Sequence, residues 1–144
     1  MFTLHPRLAA DTVVLGDFPL SQLLLMNDAS YPWLILVPRR ADIREVHELS
    51  DADQLQLIRE SSWVSERLAL QLQATKMNVA NLGNMVPQLH WHVIARFEGD
   101  PAWPKPVWGQ LPAEPYTDEE LLETLHILKS ALPVDGRIGL NWAL

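Results

Sequence analysis

The chain has 144 residues, the length of one ordinary domain, and a domain of that size buries about 70% of its unfolded surface. Hydrophobic residues make up 48% and charged residues 20%, a folded rather than a disordered balance. The 11 Lys and Arg against 18 Asp and Glu give a net charge of -7, which argues against a nonspecific binder of nucleic-acid polymers, and the lack of cysteine excludes disulfides, thiolate catalysis and Cys-ligated zinc.

In chain order, Met1–Gly16 holds Pro6, Arg7 and Asp11 where an export signal needs an unbroken apolar run, and no stretch reaches the ~20 apolar residues of a membrane span. A cytoplasmic protein without membrane contact is therefore expected, in keeping with the missing cysteines. Thr12–Phe18 and Leu20–Met26 read as strands, followed by the turn cluster Asn27-Asp28-Ala29-Ser30. Trp33–Val37 reads as a buried strand stopped by Pro38. Residues 50–73 change period: Ser50 and Asp53 form a capping signal, and Leu55, Ile58, Val64, Leu68 and Leu72 recur at mostly helical spacing. Met77–Leu82 returns to strand character, Gly83-Asn84 turns the chain, and Val86–Phe97 reads as the longest extended segment. Residues 98–116 carry five of the 11 prolines and two of the six tryptophans, Trp103 and Trp108, as an ordered irregular loop. Thr117 with Glu120 opens a second helix through about Leu132. The sum is one α+β domain over residues 1–144, with a core at about 10–109 and a loop and helix at 110–144. Its sheet is antiparallel with about five strands, crossed by one long helix.

The chemistry concentrates in Gln88-Leu89-His90-Trp91-His92-Val93-Ile94. On a strand, alternate residues share a face, so Gln88, His90 and His92 are expected in a row, about 6.5–7 Å between successive Cα atoms. Such polar groups on an apolar strand are costly to bury without partners. Three readings compete. The histidines can be structural, satisfied by hydrogen bonds. They can be two ligands of a metal, which needs a third. His5 lies near the terminus, and His47 and His126 flank or lie within helical segments, which leaves Glu98 or Asp100. Or a neutral imidazole can attack phosphorus, with its polar neighbours holding the phosphate oxygens.

Residues Leu82–Ile94 resemble the signature strand of the histidine-triad (HIT) family, His-φ-His-φ-His-φ-φ with φ apolar. The order of strand, turn, strand and long helix upstream is also similar, over about residues 10–109. The resemblance implies nucleotide hydrolases and transferases that form a transient nucleotidyl-histidine on dinucleoside polyphosphates or nucleoside phosphoramidates. It implies His90 as nucleophile, His92 as phosphate contact, Asn84 and Asn81 as phosphate contacts, and Asn27 and Asp28 at the ribose hydroxyls. It implies a homodimer, a nucleotide as the small-molecule partner, no cofactor and no metal. Gln88 stands at the first triad position; it can hydrogen-bond but cannot carry a proton to a leaving group near neutral pH. No histidine lies between His5 and His47, where many members have one. A catalytically weak nucleotide-binding protein is the rival reading. Other candidates are Arg96, on the parity of His90 and His92, for phosphate, and the Trp103/Trp108 loop for capping the pocket or packing.

Overall fold

The computed structural model describes residues 1–144. The elements are α1 (Pro6–Asp11), β1 (Thr12–Asp17), β2 (Ser21–Met26), β3 (Trp33–Pro38), α2 (Asp51–Leu72), β4 (Lys76–Asn81), β5 (Trp91–Arg96), α3 (Asp118–Ala131) and β6 (Asn141–Trp142), with a single 3-10 turn at Val46–Glu48. The fold class is α+β, and the strands form one six-stranded sheet in the order β4-β5-β3-β2-β1-β6, every pairing antiparallel. The sixth strand is the difference from the expected five. β6 is only two residues long and carries no strand pattern of its own. It docks where Gly16 leaves room, because a Cβ there would collide with the Asn141 carbonyl.

The apolar runs of β2 and β3 are explained by burial on both faces. Leu23, Leu25, Leu34, Leu36 and Val93 face α2 and α3, meeting Leu57, Val64, Leu68 and Leu128. Leu24, Ile35, Val37 and Ile94 pack on the opposite face against Leu8 of α1 and Val107 of the long loop.

Helix α2 starts as expected, with the Ser50 side chain accepting from the Asp53 N–H, and Val64, Leu68 and Leu72 pack on the core as expected, but its first turns bury other residues. Leu55 and Ile58 are exposed, while Leu57, Glu60, Ser61, Val64 and Leu68 are buried. Glu60 accounts for this phase. Its carboxylate accepts from the backbone N–H groups of Leu20 (2.9 Å) and Ser21 (3.0 Å) and from the Gln56 side chain (2.9 Å). A buried carboxylate needs such donors, and they hold it at the start of β2. Helix α3 bears out the second capping box, with Thr117 and Glu120 bonded reciprocally.

The extended segment is shorter than Val86–Phe97. The β4–β5 ladder ends at Asn81–Trp91 and the β3–β5 ladder at Leu36–Trp91. Before Trp91, Pro87 has no N–H to give and the Leu89 N–H bonds the Ile43 carbonyl outside the sheet. Gly83, at φ 109°, turns the chain between the two strands.

The long loop is tied at both ends. Arg96 is 1% exposed and forms a bidentate pair with Asp100 (2.7 and 3.0 Å) plus a bond to Asn78 Oδ1 (2.8 Å). Trp103 lies over its guanidinium at 5.7 Å. At the other end, Asn27 Oδ1 accepts from Tyr116 N–H and Asp28 Oδ1 from Glu114 N–H.

Candidate active site

His90 and His92 lie on the sheet face covered by α1 and the long loop, at 6% and 3% exposure, with ring centroids 4.9 Å apart. Each ring is held by a partner that fixes where its proton sits. His90 Nδ1 is 2.7 Å from the Gln88 carbonyl, which can only accept, so Nδ1 carries the hydrogen and Nε2 keeps its lone pair. His92 Nδ1 receives the Trp33 indole N–H at 3.0 Å, a group that can only donate, so neutral His92 carries its hydrogen on Nε2. The two neighbouring imidazoles are thus set in opposite tautomers, one offering a nucleophilic nitrogen and the other an N–H donor.

Both rings are held neutral. Burial pushes His92 down to about 3, and any charge on His90 opposes its protonation further. Burial also lowers His90; the Gln88 carbonyl counters this in part, and the charge of nearby His5 adds to it.

A cavity of about 390 Å³ opens beside His92, lined by Arg7, Leu8, Asp11, Met26, Ile35, Leu82 to Val86 and Trp108. Its size is that of a small-molecule pocket. Trp108 stands edge-on to His92 and Trp33, at 5.1 and 5.9 Å between centroids, and so forms one wall. A second, polar cleft of about 200 Å³ is lined by His5, Asp42, Ile43, Arg44, Pro87 and Gln88.

Of the residues singled out from sequence, the structure brings together His92 and Asn84 at the larger cavity; His90 lines neither opening, its ring standing 4.9 Å from that of His92. Gln88 and His90 both precede the strand, which begins only at Trp91, so the expected row on one strand face does not form; the His90 ring nevertheless meets that of His92, while Gln88 does not. Its side chain instead clamps the N-terminal segment, accepting from His5 N–H (2.8 Å) and donating to the Thr3 carbonyl (2.9 Å). Asn81 pairs with Trp91 and so points to the opposite sheet face from His92, whose β4 partner is Ala80. Asn27 and Asp28 spend their acceptors on the loop at 114–116 and line neither opening. Arg96 is enclosed in its pair with Asp100 and lines neither opening. No group of three or more His, Cys, Asp or Glu side chains gathers where it could hold a metal ion.

The sequence reading missed α1, which carries Arg7, Leu8 and Asp11 to the cavity. Its cap is His5, whose Nδ1 accepts from Arg7 N–H, and histidine is not a usual capping residue. The signals present were Pro6 at the first helical position and the i,i+4 pair Arg7–Asp11, 2.9 Å apart.

Comparison with known proteins bears on the family and the fold. Residues 7–99 match the model of the HIT domain. The chain is similar to the crystal structure of a histidine triad protein from Marinobacter aquaeolei, with 51% identity, 96% of this chain and 98% of that chain covered, and a TM-score of 0.90. A histidine triad (HIT) protein from Sinorhizobium meliloti matches at 49% identity over 92% of this chain and 98% of that one, TM-score 0.88. A histidine triad protein from Bradyrhizobium japonicum matches at 45% identity with the same coverage and TM-score. No curated protein matches the chain. With a family model spanning most of its length and solved relatives near half-identical over nearly all of it, the chain belongs to the histidine-triad family.

Proposed function

We propose that the protein is a nucleotide hydrolase or transferase in which His90 Nε2 attacks the α-phosphorus of a nucleotide derivative, of the dinucleoside polyphosphate or nucleoside phosphoramidate type, and water resolves the nucleotidyl-histidine. The observation that carries this reading is the opposed pair of tautomers. The Gln88 carbonyl leaves His90 Nε2 free to form a bond to phosphorus, and the Trp33 indole leaves His92 with an Nε2–H to give to a nonbridging oxygen. A neutral nucleophile is what the lowered value of His90 provides at pH 7.

The larger cavity takes the nucleoside. Its apolar walls, Leu8, Ile35, Val86 and Trp108, suit a flat base, and Asn84 and Arg7 supply donors for phosphate. Asn81, Asn27 and Asp28 have no part in it; Asp11 is the carboxylate lining the cavity and takes the ribose hydroxyls in this reading. The chemistry asks for no metal or cofactor. No helix is long and apolar enough to cross a membrane, and the proposed setting is the cytoplasm.

The reading includes a homodimer. β4 is an edge strand, and the surface between it and α2 exposes Ile58 and Val79. An edge strand with exposed apolar side chains is a surface that a second copy can cover.

Replacing His90 tests the assignment. His90→Ala is expected to slow turnover of an adenosine 5′-phosphoramidate by at least about 10³-fold while nucleotide affinity stays within a small factor. Full activity in that variant would overturn the assignment. A wild-type protein that binds nucleotide yet turns none over would support the rival reading of a nucleotide-binding protein, which the proton-incompetent Gln88 favours.

A further inference from the structure

The polar cleft beside Gln88 has no role in the account so far, and His5 is the one imidazole in it. Three observations connect His5 to His90. The Gln88 side chain holds the backbone leading into His5, through its N–H and the Thr3 carbonyl. Gln88's own carbonyl holds the His90 ring, so a single residue connects His5 to the nucleophile. And His5 lies near enough to His90 for its charge to oppose a charge there. Its Nδ1 is occupied by Arg7 N–H, so the neutral ring carries its hydrogen on Nε2, as a donor.

We propose that His5 supplies the third imidazole of the site from the N-terminal segment, donating its Nε2–H to the leaving group, and that Gln88 is the positioning residue that holds it there. The inference rests on the reading that His90 attacks phosphorus. In that step the Nε2 lone pair of His90 forms the N–P bond while the bond from phosphorus to the leaving oxygen or nitrogen breaks. The electron pair departs with the leaving atom. His5 hydrogen-bonds that atom as charge develops on it; a leaving nitrogen takes a solvent proton as the P–N bond breaks and departs as the amine, while a leaving oxygen departs as the oxyanion. Water then forms the new P–O bond, the N–P pair returns to His90 and the water proton passes to solvent. In this arrangement the nucleoside takes the cavity at His92 and the leaving group the cleft at Gln88 and His5. A lost triad histidine is thereby replaced by one 83 residues away in sequence.

The test uses the whole protein and two adenosine 5′-phosphate derivatives, one with a good leaving group (4-nitrophenolate) and one with a poor one (an alkylamine). His5→Asn keeps a capping acceptor for Arg7 N–H and removes the ring's far N–H. It is expected to slow the poor substrate by about 10²-fold and the good one by only a few-fold. Gln88→Met, which releases the segment, should show the same selectivity, and added imidazole should restore part of the poor-substrate rate in His5→Asn. Equal slowing of both substrates without rescue by imidazole would overturn the inference while leaving His90 as nucleophile. Absence of any nucleotide adduct on His90 in the wild type would overturn the underlying reading, and this inference with it.

Discussion

At the scale of single residues, the site is an arrangement of hydrogen-bond polarity. A carbonyl beneath His90 and an indole beside His92 decide which nitrogen of each ring is free. Alternation along the sequence located both histidines but could not reveal these partners. One is Trp33, 59 residues from His92, which reads from the sequence as an ordinary buried strand residue. Trp33→Phe keeps the ring's bulk and removes the N–H, so His92 can take the other tautomer. Turnover is expected to fall by about tenfold, and stability by about 1 kcal/mol. Nitrogen NMR of His92 reads the tautomer directly. An unchanged ring signal with unchanged turnover would remove Trp33 from the mechanism.

At the scale of elements, legibility followed local cause. Helices α2 and α3 announced themselves through Ser50 and Thr117, whose side chains bond within their own first turns. The second half of α2 was read correctly at Val64, Leu68 and Leu72, but its first turns were misread because Leu55 and Ile58 fit the helical period as well as Leu57. The deciding contact is a carboxylate reaching 40 residues back to Leu20. Glu60→Ala leaves two buried N–H groups without an acceptor and is expected to cost about 3 kcal/mol, measured by urea unfolding. A loss below about 1 kcal/mol would show that Leu57, Val64 and Leu68 set the phase without it. Helix α1 and strand β6 were illegible for the same reason: a histidine cap and a two-residue strand gain meaning only from what they dock against. The expected reach of the strand back to Val86 failed because Pro87 and the Leu89–Ile43 bond take that segment out of the ladder.

At the scale of the whole molecule, two neutral imidazoles buried within one fold make stability depend on pH. Unfolded, each histidine titrates near pH 6.5; folded, His92 sits at about 3 and His90 below its ordinary value. The unfolded chain therefore binds more protons in acid. The contribution of these groups is fully present above about pH 6.5 and is lost as pH falls toward 3, by about 1.4 kcal/mol per unit of difference. The midpoint of urea unfolding is expected to drop between pH 6.5 and 4 in the wild type, and less in His92→Phe. An equal drop in both would place the acid sensitivity elsewhere.

The central claim is that His90 becomes covalently nucleotidylated. It is tested most directly by mixing excess protein with an α-labelled nucleotide substrate, quenching within a single turnover without acid, and mapping the label by peptide mass. The account predicts an acid-labile nucleotidyl group on His90 of the wild type and none in His90→Ala. Clear nucleotide binding with no label on His90 at any quench time, while product still accumulates, would contradict it.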